Sequence, residues 1–148
     1  MRTLRVSTSA IALILSGFVL SGLASAAELP AGKGLGLRGE YRSSTDMSGP
    51  ARVIRTDPTV DFSWGYASPA IGLPSNRFSV RWTGQLEAPS TGAYKLTTQT
   101  DGGVRVWLDG AKVIDQWTAH PTALHSSGTL NLTAGRRYAL RVEYYEVT

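Results

Sequence analysis

The chemistry-bearing residues of this chain gather in one stretch, Thr100 to Asp115. Asp101 precedes two glycines, Gly102 and Gly103, and Trp107 follows four residues later. A carboxylate beside glycines suits two kinds of work. It can coordinate a cation together with backbone carbonyls, or it can accept hydrogen bonds from backbone amides in a tight turn whose glycines take positive φ. An indole offers a flat apolar face, which suits the C–H face of a sugar ring as well as core packing. His120 and His125 stand in a polar stretch just downstream, where two histidines with no matching acidic or cysteine pattern read as solvent-exposed rather than metal-binding. Trp82 and Trp117 are further indoles, with Trp82 on the parity of a buried face.

Several chemistries find no support. The chain has no Gly-x-Ser-x-Gly, no His-Glu-x-x-His and no phosphate-binding glycine loop. A glycosidase needs two facing carboxylates, and nothing in the placement of the 11 acids singles out a pair. The expectation is a protein that binds without breaking bonds.

The elements that must position these residues are strands. Val104, Val106 and Leu108 alternate with Arg105, Trp107 and Asp109, so one set faces inward and the other outward. Asp109-Gly110 then predicts a tight hairpin, returning as Lys112 to Trp117. Phe78, Val80, Trp82 and Leu86 alternate along Arg77 to Glu87. Ala93 to Thr100 returns, and Tyr138, Leu140, Val142 and Tyr144 alternate near the end. Shorter strands are expected over Gly36–Tyr41, Arg52–Ile54, Thr59–Trp64 and Gly128–Leu132, with Thr118–Ser127 as a loop. No segment beyond Ala26 carries a helical period, and strands between frequent turns indicate an all-β sandwich.

The first residues read as an export signal. Arg2 and Arg5 precede the short apolar run Ala10–Leu20, and Ala24-Ser25-Ala26 supplies small residues for cleavage after Ala26. The apolar run is shorter than the ~20 residues a membrane span needs. Residues 1–26 are thus expected to be a signal peptide, 27–35 a flexible lead-in, and 36–148 the domain, in a secreted, extracellular or periplasmic protein not inserted in the membrane. Removing 26 of 148 residues takes Lys+Arg from 15 to 13 against 11 acids, a net charge of +2. That balance, with no basic run interleaved with aromatics, argues against nucleic acid as a partner. Cysteine is absent, so the fold rests on its apolar core without disulfides.

Several ordered motifs together resemble one family. They are Phe78-Ser79-Val80-Arg81-Trp82-Thr83-Gly84, Gly92-Ala93-Tyr94, Asp101 to Gly110, Val113-Ile114-Asp115-Gln116-Trp117 and Glu143-Tyr144-Tyr145-Glu146. From about Gly36 onward the chain is similar to the protective-antigen fourteen-kilodalton domain, named for a bacterial toxin component. The resemblance implies a single jelly-roll-like antiparallel sandwich outside the cell, with a cell-surface or extracellular glycan as partner. In lectin members, two consecutive aspartates joined by a cis peptide hold a calcium ion that grips sugar hydroxyls. The first falls on Asp101, the expected metal ligand here, and the second position is Gly102. Losing that carboxylate weakens a site that wants six to eight oxygens. Family members continue into a further loop and closing strand, whereas this sequence stops at Thr148 and reads as a truncated or minimal variant. The expected ligand-binding set is Asp101, Gly102, Gly103 and Trp107. The alternatives are a structural or protein-interaction module without sugar binding, and an accessory domain of a larger secreted hydrolase.

Overall fold

The computed structural model describes residues 12–17 and 35–147. The cleavage site after Ala26 and the lead-in lie outside the described residues, apart from Leu35. Ten strands follow in chain order: β1 (Ala12–Gly17), β2 (Leu37–Arg42), β3 (Val53–Asp57), β4 (Phe78–Glu87), β5 (Gly92–Thr100), β6 (Gly103–Leu108), β7 (Ala111–Gln116), β8 (Ala123–Ser126), β9 (Leu130–Leu132) and β10 (Arg137–Glu146). They form two antiparallel sheets. One has the order β3-β2-β4-β10-β6-β7, and in the other β5 lies between β1 and the β8/β9 side. The described residues contain no helix. This is the expected all-β sandwich.

Strand alternation builds the core directly. Phe78, Val80 and Trp82 of β4, Val104, Val106 and Leu108 of β6, and Leu140, Val142 and Tyr144 of β10 are all buried on one face of the larger sheet. Tyr94 and Leu96 of β5 and Leu132 of β9 belong to the same buried cluster. Trp82, Tyr41, Tyr144 and Phe78 are its largest fully buried side chains. Each contributes roughly 1.5–3 kcal/mol of hydrophobic stabilisation on burial, which is how a chain without cysteine holds together. Asp109 and Gly110 both have positive φ, 47° and 81°, as the primed turn between β6 and β7 requires.

Two expectations are corrected. Thr59–Trp64 is not a strand. Its alternating side chains are nonetheless apolar for a reason: Val60 is buried, while Phe62 and Trp64 pack against the core. The Phe62 ring stacks on Trp64 at 4.9 Å and on Trp82 at 5.8 Å. The segment covers the sheet instead of joining it. Its path is anchored by Asp57, whose carboxylate accepts hydrogen bonds from the Tyr41 hydroxyl (2.6 Å), the Trp82 indole (2.7 Å) and Arg55 Nε (2.6 Å). The second correction is Thr118–Ser127, which is not all loop: Ala123–Ser126 pairs with β5 as β8, placing His125 opposite Thr98.

On its other side β5 pairs with β1, from Ala12 opposite Gln99 to Gly17 opposite Tyr94. Those six residues belong to the apolar run read as the core of the export signal.

Candidate functional site

The turn from β5 into β6 carries Asp101, Gly102 and Gly103. Asp101 Oδ1 accepts a hydrogen bond from the Tyr144 hydroxyl at 3.1 Å, and its backbone carbonyl accepts one from the His120 amide at 3.2 Å. The same Tyr144 hydroxyl lies against Glu146 Oε2. With one hydrogen to donate, it serves one carboxylate at a time. Burial, followed by Glu146 and then Asp101, raises the Tyr144 pKa well above the ordinary phenol value. Tyr144 therefore stays a protonated donor between two acids, and Asp101 is turned toward the interior edge of the sandwich.

Gly102 and Gly103 are needed for space, not for positive φ, which neither adopts. A Cβ at Gly102 would overlap the backbone carbonyl oxygen of Tyr145, and one at Gly103 would overlap the Tyr145 ring. The Gly102 carbonyl accepts the Thr100 hydroxyl at 3.0 Å. An acidic pair in the lectin manner thus has no room for its second member, and among the described residues no peptide bond is cis. Nor do the described residues gather three or more His, Cys, Asp or Glu side chains. Asp101 and Glu146, both engaged by the Tyr144 hydroxyl, are two carboxylates at most and fall short of calcium's six to eight oxygens, so these residues do not fit the ion.

Trp107 lies elsewhere. Gly103, Arg105 and Trp107 point to the outer face of β6, and Gly103 to Trp107 spans ~13 Å at ordinary strand rise. The expected set does not converge on one point: Gly103 and Trp107 share the outward face, while Asp101 belongs to the edge.

Strand register assembles that outward face in rows. Arg38, Thr83, Arg141, Trp107 and Lys112 stand side by side across five strands. In the next row stand Glu40, Arg81, Glu143, Arg105 and Asp115. A register shift after Val106 in the β6–β7 pairing brings Lys112 opposite Trp107. The Arg141 guanidinium stacks over the Trp107 ring at 3.8 Å, and Arg105 over Trp117 at 3.8 Å. Tyr145 meets Trp117 edge-on, with centroids 4.8 Å apart. Glu143, only 3% exposed, holds the array. It takes Arg81 at 2.8 Å on one oxygen and Arg105 at 2.7 Å on the other.

These two rows with Arg42 put six cations, Arg38, Arg42, Arg81, Arg105, Arg141 and Lys112, against three carboxylates, Glu40, Glu143 and Asp115. The surplus is three positive charges beside half-buried indoles. Trp107 and Trp117 are both intermediate in exposure, whereas Trp82 is fully buried. Apart from that face, a hollow lined by Ser43, Ser44, Thr45, Asp46, Ser48 and Arg77 has polar groups but no aromatic ring.

Sequence reasoning missed Arg105, Arg141 and Tyr145. Their signal was present as parity, Arg105-x-Trp107 in one strand and Arg141-x-Glu143-x-Tyr145 in another, but which strands lie side by side is not written locally.

With this geometry in view, the comparisons are specific. The PA14 domain model matches residues 34–148. The chain is 41% identical over 115 residues to anti-sigma-I factor RsgI3 of Acetivibrio thermocellus, covering 78% of this chain and 18% of that protein. Among solved structures it is similar to an anti-sigma factor domain-containing protein, at 39% identity and a TM-score of 0.74, covering 78% of this chain and 40% of that one. It also shares its fold with the PA14 domain of the antifreeze protein MpAFP, at 11% identity and a TM-score of 0.60, covering 84% and 82% of the two chains. The chain spans less than half the length of the first two relatives, so their resemblance is to one module within each. With a family model matched over nearly the whole β-sandwich, this chain belongs to the PA14 domain family.

Proposed function

We propose that this chain is an exported, non-catalytic carbohydrate-binding module that works without calcium through the outward face of its larger sheet. One observation carries the reading: two half-exposed indoles, Trp107 and Trp117, lie on that face with the guanidiniums of Arg141 and Arg105 stacked upon them. Indole surface takes the apolar side of a sugar ring. Guanidiniums present several donors in a fixed plane to hydroxyl and carboxylate oxygens. Glu143 holds Arg105 and Arg81 in place, so little side-chain freedom is lost on binding. The polar hollow at Ser43–Ser48 offers hydrogen bonds alone. Export rests on Arg2 and Arg5, the short apolar run and the small-residue site that follow them.

The test is affinity electrophoresis of the full chain through gels containing neutral and acidic polysaccharides, with Trp107→Ala and Trp117→Ala as variants. An aromatic anchor at the centre of a binding face is worth about 2 kcal/mol, roughly thirtyfold in Kd. Retardation that either substitution abolishes, in a variant that still melts cooperatively, supports the reading. Retardation unaffected by both substitutions, or none on any polysaccharide, refutes it.

A further inference from the structure

We propose that His120 and His125 form a two-imidazole site for a divalent transition-metal ion, a function separate from the sugar-binding reading. The two residues reach one point from different elements. His120 comes from the loop after β7, and its amide is tied to the Asp101 carbonyl at 3.2 Å. His125 comes from β8, where it stands opposite Thr98. Their Nε2 atoms are 3.1 Å apart. A tetrahedral ion bound at 2.0–2.1 Å from each nitrogen needs them about 3.4 Å apart. The pair is therefore within a few tenths of an ångström of chelating distance.

Proton placement favours the same use. His120 Nδ1 lies 2.8 Å from the Pro121 carbonyl oxygen. A carbonyl only accepts, so His120 carries its hydrogen on Nδ1 and presents a lone pair at Nε2. A backbone carbonyl on the far ring nitrogen is the arrangement that orients metal-bound histidines and raises their basicity. His125 at present donates from Nε2 to that lone pair. On metal binding its hydrogen shifts to Nδ1, so both Nε2 lone pairs meet the ion without net loss of a proton. The ring planes stand at 67°, with centroids 4.7 Å apart, so the imidazoles meet at an angle and are not stacked. Both side chains are partly exposed, leaving the remaining coordination positions to water. Among the described residues no third His, Cys, Asp or Glu completes a cluster. Imidazole nitrogen selects copper, nickel and zinc over calcium and magnesium.

The experiment is a titration of the full chain, purified without a polyhistidine tag, with Zn2+, Ni2+ and Ca2+, followed by calorimetry, thermal melting and imidazole 15N chemical shifts. The expected result is one Zn2+ or Ni2+ per chain and no response to Ca2+. A hundredfold excess over Kd should raise the melting temperature by roughly 5–10 °C. His120→Ala and His125→Ala should each weaken binding at least tenfold while keeping a cooperative melt, and the ion should perturb Nε2 of both rings. No binding at millimolar metal, equal binding by the double variant, or perturbation confined to Nδ1 would overturn the proposal.

Discussion

Restoring the missing acid of the lectin pair, Gly102→Asp, should damage the protein instead of giving it a calcium site. An ideal Cβ at this position overlaps the Tyr145 carbonyl oxygen and approaches Tyr144 Cε2 at 3.0 Å. The main obstacle is backbone of β10, a central strand paired with both β4 and β6, so it cannot rotate aside as a flexible side chain would. Overpacking of this kind costs about 1–3 kcal/mol, and a backbone obstacle puts the cost toward the upper end. For a domain of this size, that corresponds to a fall in Tm of roughly 5–12 °C. The assay is a thermal melt of the parent, Gly102→Ala and Gly102→Asp chains, each in millimolar calcium and in chelator. Alanine should already carry most of the loss, because the clash belongs to Cβ. Calcium should not restore Gly102→Asp. If both variants melt within a degree of the parent, the steric argument is wrong. If calcium selectively stabilises Gly102→Asp, the acidic pair can form here, and the reading of this turn as closed to calcium is refuted.

Two further outcomes follow from the charged groups. Glu143→Gln removes the carboxylate shared by Arg81 and Arg105, leaving both cations facing a neutral amide. Breaking a fully buried pair costs 3–5 kcal/mol. Because the two arginine side chains are 32% and 26% exposed, about 2 kcal/mol is expected, read as a lower urea midpoint with an unchanged m-value. His125 has its pKa lowered, first by burial and then by the neighbouring His120. Below about 6.5, the value of a free histidine, the unfolded chain therefore takes up a proton that the folded chain resists. Stability present above that pH is lost as the pH falls toward the folded pKa. Melts between pH 7.5 and 5.5 should show a steeper decline for the parent than for His125→Gln, and parallel curves would contradict the assignment.

Most of the strand content was legible because alternation is local. Successive side chains of a strand point to opposite faces, so Phe78-x-Val80-x-Trp82 and Val104-x-Val106-x-Leu108 declare a buried face without reference to the rest of the chain. The Asp109-Gly110 turn is legible for the same reason, since its positive φ angles are a property of two residues. Thr59–Trp64 shows where that logic stops. It has the alternation of a strand, yet its aromatic rings stack over the sheet at Trp82 instead of pairing within it. The His125 segment errs in the other direction. Polar and weakly patterned, it becomes strand because β5 offers it an edge.

Composition and pattern thus determined an all-β sandwich, the parity of Trp107 and the burial of Trp82, while the family came from the resemblance of several ordered motifs. Tertiary structure alone decided that Arg141 lies over Trp107, that one Glu143 serves two arginines, and that the nitrogens of His120 and His125 meet. It also decided that Gly102 stands against the Tyr145 carbonyl. The physical reason is the range of the interactions. Face alternation repeats every two residues along one strand, whereas these contacts depend on which strands pair and in what register, and that is set by burial across the whole sandwich.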